Sequence, residues 1–159
     1  MRGRMKKISV CACFALFLAC VGCASVSVPD YKVLAQNTLD RMNAAYADGR
    51  LETFLSYVDK TPVFDYENFA IAVENDMNGF VSMRFDVVVK NIFVQKDAGN
   101  ADKAPVLFVK LDYTRQADTY RFGRSVKEGE TVLAFKIADD FSLKLTDMSE
   151  PYLYGLIVP

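Results

Sequence analysis

The hydrophobic period of this chain switches at Ser82, from the three- and four-residue steps of a helix to the two-residue alternation of a strand. That switch predicts helices first and strands afterwards. From Asp30, the residues Tyr31, Leu34, Ala35, Thr38, Met42, Ala45 and Tyr46 trace one helical face, while Lys32, Gln36, Asp40 and Asn43 lie off it. Gly49 ends the segment as a residue free to adopt the left-handed conformation. A short second helix carries Leu51, Phe54, Leu55 and Val58, and Pro62 follows it. Asp65 is placed to cap a third helix with Tyr66, Phe69, Ala70, Val73, Met77 and Phe80 on its apolar face.

After Ser82, Met83, Phe85, Val87 and Val89 alternate with Arg84, Asp86 and Lys90, as in a strand with one face on a core. The apolar phase then moves to Ile92 and Val94, which predicts a bulge near Lys90-Asn91. The Gly99-Asn100 region reads as a turn. Leu107, Val109, Leu111 and Tyr113 form the next strand face, and the polar stretch from Arg115 predicts a strand extension with a hairpin loop at Lys127-Glu128-Gly129. Leu133, Phe135 and Ile137 are in phase in another strand, Asp139-Asp140 makes a turn, and Phe141, Leu143 and Leu145 form the last strand before Glu150-Pro151. The apolar tail from Tyr152 is expected to pack on the domain, since exposing it whole would create an adhesive patch. Three helices followed by about four antiparallel strands specify an α+β class, with the helices on one face of a curved sheet.

The first segment sets the expected location. Arg2, Arg4, Lys6 and Lys7 precede an apolar run from Ile8 to Val21, shorter than the roughly 20 residues that span a bilayer, so the segment reads as a cleaved signal peptide. It closes in Cys20-Val21-Gly22-Cys23-Ala24-Ser25, which resembles a bacterial lipobox. The expected division is a leader at 1–22, a lipidated tether at 23–29 and a single domain at 30–159. Cys23 is the expected acceptor, favoured by Gly22 before it and Ala24-Ser25 after it, and Cys20 is the alternative frame.

This division also settles the cysteines and the charge. Cys11, Cys13, Cys20 and Cys23 all lie in the leader or at its boundary, so the domain has no disulfide, thiolate nucleophile or cysteine metal ligand. The whole chain holds 19 Lys and Arg against 20 Asp and Glu; removing the four cations of the leader leaves 15 against 20, a net charge near −5. That balance argues against nucleic acid as a partner.

Ala44-Ala45-Tyr46-Ala47-Asp48-Gly49-Arg50-Leu51-Glu52-Thr53-Phe54-Leu55-Ser56-Tyr57-Val58-Asp59 resembles the helix, turn and short helix of the nuclear transport factor 2-like family, also described as SnoaL-like. Asp139-Asp140-Phe141-Ser142-Leu143-Lys144-Leu145 is similar to that family's closing strand, with Phe141 where a Trp commonly sits. The resemblance implies a cone in which a bent antiparallel sheet wraps a long helix and encloses a pocket. Family members use such a pocket for several chemistries or for binding alone, so function has to be argued from the site.

Catalytic groups are sparse. In the ketosteroid-isomerase branch a Tyr donates to the oxyanion and an Asp abstracts the proton; aligned on the Gly49 turn, Met42 stands at the Tyr position and Asp65 falls within one position of the base. Asp65 is better explained as a helix cap. The chain has no histidine, which removes the residues on which the dehydratase branch relies, along with the usual base and metal ligand near neutral pH. Arg84, Asp86, Asp112 and Arg115 suit an epoxide-hydrolase set by composition alone, and strand phase turns Arg84 and Asp86 to solvent. Asp112 is a candidate base only if sheet curvature buries it. Tyr46, Tyr57, Tyr66 and Tyr113 could present phenols to a pocket ligand, although aromatic residues on apolar stripes ordinarily build core. No metal or cofactor is expected.

The expected function is therefore a non-catalytic, lipid-anchored binding module of the bacterial envelope, placed at the outer membrane facing the periplasm. It would engage a small hydrophobic ligand or an envelope protein through a pocket or sheet face. An isomerase- or hydrolase-type enzyme using a pocket Asp, and an assembly lipoprotein acting as a homodimer, are the alternatives.

Overall fold

The computed structural model describes residues 30–60, 65–96 and 104–155. The leader, Cys20, Cys23, the tether and the Gly99-Asn100 turn lie outside the described residues. Among the described residues, no helix is long and apolar enough to cross a membrane.

Helix α1 spans Tyr31–Ala47, and its start is set by Asp30, whose carboxylate accepts from the Lys32 and Val33 amides at 2.9 and 3.3 Å. Ala35, Leu39, Met42 and Tyr46 are buried at steps of four, three and four. Gly49 takes a φ of 65° just past the helix, and the Arg50 amide reaches back to the Ala45 carbonyl at 2.8 Å. Helix α2 is a single turn at Leu51–Leu55. Val58, expected within it, instead forms a parallel bridge to Leu145, flanked by Asp59 N–H to Leu145 O at 2.8 Å and Leu145 N–H to Tyr57 O at 2.7 Å. Helix α3 covers Tyr66–Gly79 and runs directly into strand β1, Phe80–Gln95, three residues before the alternation from Met83, so that Phe80, expected on the helix, opens the strand.

Strands β2 (Val106–Thr119), β3 (Gly123–Ile137) and β4 (Leu143–Met148) complete one antiparallel sheet in the order β1-β2-β3-β4. The predicted bulge is present, as a register shift between Val89 and Asn91 that carries Ile92 and Val94 to the inner face. Gln36 of α1 meets this edge strand beside the bulge. Its Nε2 donates to Val87 O at 3.0 Å, and its Oε1 accepts from Val89 N–H at 3.1 Å. The side chain thus occupies backbone groups that an edge would otherwise leave open.

The hairpin loop differs from expectation. The chain reverses at Tyr120–Phe122, where Thr119 Oγ1 accepts from the Phe122 amide at 3.0 Å and donates to Gly123 O at 3.1 Å, and Gly123 has a φ of 69°. Gly129, expected in the loop, is an interior strand residue opposite Tyr113. Phe141, expected in the last strand, precedes β4 with a φ of 61°.

The core lies between α1 and the inner face of the sheet. Tyr46, Phe54, Phe85 and Tyr154 form a mutually packed aromatic cluster, with ring centroids 4.9 to 5.8 Å apart. In the described part of the tail, Leu153 and Tyr154 pack inward as expected, whereas Tyr152 stays on the surface; residues 156–159 lie outside the described residues.

Candidate functional site

Strand β2 places Leu107, Val109, Leu111, Tyr113, Arg115 and Ala117 on its buried side. One member of that series is a cation, and Arg115 is only 4% exposed. On α3, Asp76 lies three residues after Val73 and next to Met77, on the same buried face, and is also 4% exposed. The two meet across the core: Arg115 Nη2 donates to Asp76 Oδ1 at 2.8 Å and to Oδ2 at 2.6 Å.

Tyr46 completes the cluster from α1. Its hydroxyl donates a short hydrogen bond to Asp76 Oδ2 and accepts from the Gly155 amide at 3.0 Å. Burial, reinforced by the neighbouring Asp76 carboxylate, pushes the Tyr46 phenol well above its ordinary pKa. Tyr46 therefore stays protonated. The guanidinium of Arg115 also lies 6.0 Å from the Tyr46 ring centroid, at the outer reach of a cation–π contact. Arg115 Nη1 is buried and has no hydrogen-bond partner among the described residues.

Beside this cluster is a cavity of about 350 Å³. Asp76, Phe80, Met83, Arg115, Ala117 and Phe122 line it, with Thr119, Ser125 and Lys127 adding polar edges. The wall is mainly apolar, and Asp76 is its one carboxylate among the described residues. The volume is at the small end of the roughly 300–1,000 Å³ range of small-molecule sites.

The residues singled out from sequence are dispersed. Tyr46 sits behind the cavity, with its hydroxyl committed to Asp76 and Gly155. Tyr113 is buried against Gly129, and burial raises its pKa. Tyr57 is half-buried beside the bridge to β4, and Tyr66 lies under the Lys60 ammonium, 5.3 Å from the ring centroid. Asp65 caps α3 by accepting from Asn68 N–H at 3.3 Å and from Asn68 Nδ2 at 2.6 Å. Asp112 pairs with Lys90 at 2.6 Å on the outer face and borders a separate shallow depression there. That hydrogen bond raises the Lys90 pKa. None of these residues lines the cavity. Among the described residues, no three carboxylates are grouped as a metal site would need.

Asp76 is the residue that sequence reasoning missed, and Arg115 entered it by composition alone. The available signal was phase: an acid and a base of opposite sign, each in step with an otherwise apolar face, on two elements that pack together.

Solved structures share this architecture. A nuclear transport factor 2-like superfamily protein from Salmonella enterica serovar Typhimurium matches with a TM-score of 0.55 at 10% identity, over 76% of this chain and 91% of that one. The chain has the nuclear transport factor 2-like fold. A candidate dehydratase of the nuclear transport factor 2-like family from Streptomyces avermitilis matches with a TM-score of 0.51 at 12% identity, over 74% of this chain and 94% of that one. The helical cell shape determining protein of Campylobacter jejuni matches with a TM-score of 0.52 at 15% identity, over 70% of this chain but 37% of that one. No protein-family model matches the sequence, and neither does any curated protein. Proteins as unlike as a candidate dehydratase and a cell-shape determinant share the nuclear transport factor 2-like fold, so chemistry must be argued from the Arg115–Asp76–Tyr46 cluster and its cavity.

Proposed function

We propose that this protein is a non-catalytic binding module that holds a small apolar molecule in the cavity between α3 and the β1–β3 sheet, and that Cys23 tethers it by lipid to the bacterial envelope. One observation carries the binding reading. The cavity is walled mainly by apolar side chains, and its one carboxylate among the described residues, Asp76, is 4% exposed and held by three hydrogen bonds from Arg115 and Tyr46. A general base has to reach the proton it takes, and Asp76 is buried in contacts to the protein's own side chains. The earlier candidates, Asp65 and Asp112, lie away from the cavity in a helix cap and a surface ion pair.

Native mass spectrometry of the full lipidated chain, released from its own membranes, tests this reading. The expected spectrum shows a retained small molecule beyond the acyl mass in the natural protein. Ala117→Trp, which fills the cavity from β2, should lack it. An adduct absent from both proteins, or present equally in both, would sink the proposal.

A further inference from the structure

Three large apolar side chains stand in solvent together at one end of the sheet. Tyr120 and Phe122 belong to the β2–β3 reversal and are 72% and 67% exposed. Val81, 62% exposed, is the β1 residue left out of register between Phe80 and Ser82, whose partners are Thr119 and Asp118. The reversal that presents the rings is held in place, because Thr119 Oγ1 bonds across it and the Tyr120 amide donates to Gly79 O at 3.4 Å. The same end is cationic within an acidic domain. Residues 118–127 hold Arg121, Arg124 and Lys127 against Asp118, and the remainder of residues 30–159 holds 12 Lys and Arg against 19 Asp and Glu. Asp118 is neutralised by Arg124 at 3.0 Å, whereas Arg121 and Lys127 have no ion-pair partner among the described residues.

Exposed aromatic rings set among unpaired cations match the headgroup layer of an anionic bilayer. Aromatic side chains settle at that boundary between apolar and polar layers, and the negative surface potential attracts nearby Lys and Arg. A protein partner fits less well, since a stable interface takes about 800 Å² from each side, more than the reversal at Tyr120–Phe122 offers. We propose that this hairpin end docks on an anionic bilayer surface, with Tyr120 and Phe122 seated among the headgroups and Arg121 and Lys127 against lipid phosphates. The inference depends neither on what the cavity holds nor on Cys23. Phe122 and Lys127 also line the cavity, so docking at this end brings the cavity wall to the bilayer.

The chain has no tryptophan, so a single one placed at the tip reports alone. Tyr120→Trp in the full chain, added to nanodiscs carrying phospholipid brominated next to the headgroup, reads insertion of the ring as quenched emission. In discs with a third of their lipid as phosphatidylglycerol, quenching should be about threefold greater than in discs of phosphatidylcholine alone. Arg121→Gln and Lys127→Gln together, both at exposed positions, should remove that difference. Phe93→Trp is the control: Phe93 is 64% exposed and lies about 35 Å along β1 from the hairpin end, at roughly 3.3 Å per residue, so its quenching should not respond to the charge of the disc. Equal quenching of Tyr120→Trp in the two kinds of disc would overturn the inference and leave this end to a protein partner. A charge-dependent increase that survives the double substitution, or that is as large at Phe93→Trp, would overturn it as well, by showing attraction of the whole domain without docking at the tip.

Discussion

A single nitrogen of Arg115, Nη2, bonds both carboxylate oxygens of Asp76 at 2.8 and 2.6 Å, in a site where each residue is 4% exposed. The pair joins α3 to β2 across the core, and Tyr46 joins it to α1. A buried ion pair contributes little net stability compared with apolar residues of the same shape, because two charges lose their hydration. Removing one partner is a different matter, since the other charge is then left buried and uncompensated.

Asp76→Leu and Arg115→Met should each lower the unfolding free energy by about 3–5 kcal/mol, whereas the double variant Asp76→Leu/Arg115→Met should lose much less than the sum. Urea unfolding of the four proteins checks this. Additive losses would show that the two side chains act independently.

Alkaline pH should destabilise the fold through its buried phenols. Burial raises the Tyr46 phenol above its ordinary 10.0 and does the same to Tyr154, whose hydroxyl donates to Asn43 Oδ1 at 2.7 Å. Below pH 10 these tyrosines are protonated both folded and unfolded and contribute no slope. As pH rises past 10, the unfolded chain releases their protons while the folded one retains them, so the unfolded state binds fewer protons and stability falls, by up to about 1.4 kcal/mol per pH unit for each phenol. Urea midpoints between pH 8 and 11 should decline less steeply in Tyr154→Phe than in the natural protein. Parallel declines would mean that Tyr154 ionises normally in the fold.

Two glycines of β3, one at the hairpin and one inside the strand, should respond oppositely. Gly123 adopts a φ of 69°, so Gly123→Ala should cost about 1 kcal/mol. Gly129 has ordinary strand geometry, and an added Cβ would meet Tyr113 Oη at 3.4 Å and Pro151 Cγ at 3.5 Å, which is normal contact. Gly129→Ala should leave stability unchanged or raise it by up to about 1 kcal/mol by restricting the unfolded chain. Thermal unfolding of both variants decides the matter; a reversed order would return the chain reversal to Lys127-Glu128-Gly129.

That misplaced hairpin shows where the sequence stops being legible. Periodicity located α1, α3, the bulge at Val89/Asn91 and the inner face of β2, because each depends on apolar residues repeating at the spacing of its own backbone. The strand extension from Arg115 is present as the end of β2, but the loop was misplaced at Lys127-Glu128-Gly129, where polar side chains mask a strand whose length is set by pairing with β2 rather than by its own burial. Local composition there favours a loop, and cross-strand hydrogen bonding overrides it. The site was less legible still. Asp76 and Arg115 become partners only when α3 folds over β2, 39 residues apart in sequence, and neither has a local motif to announce it. Asp65, by contrast, satisfies its own neighbourhood through the α3 amides, and a cap of that kind can be read from a few residues.

The tether makes a separate prediction. If Cys23 is the acylated residue, Cys23→Ser should abolish the acyl mass and stop membrane attachment through lipid, while the α+β domain that begins at Asp30 keeps its unfolding midpoint. The reason is local: the α1 cap is made by the Asp30 side chain with the Lys32 and Val33 amides, all within the domain. Intact mass measurement and membrane fractionation of the two proteins, expressed in a bacterium with two membranes, read both effects. Acylation that persists in Cys23→Ser and disappears in Cys20→Ser would move the anchor to Cys20, and with it the length of chain between membrane and cavity.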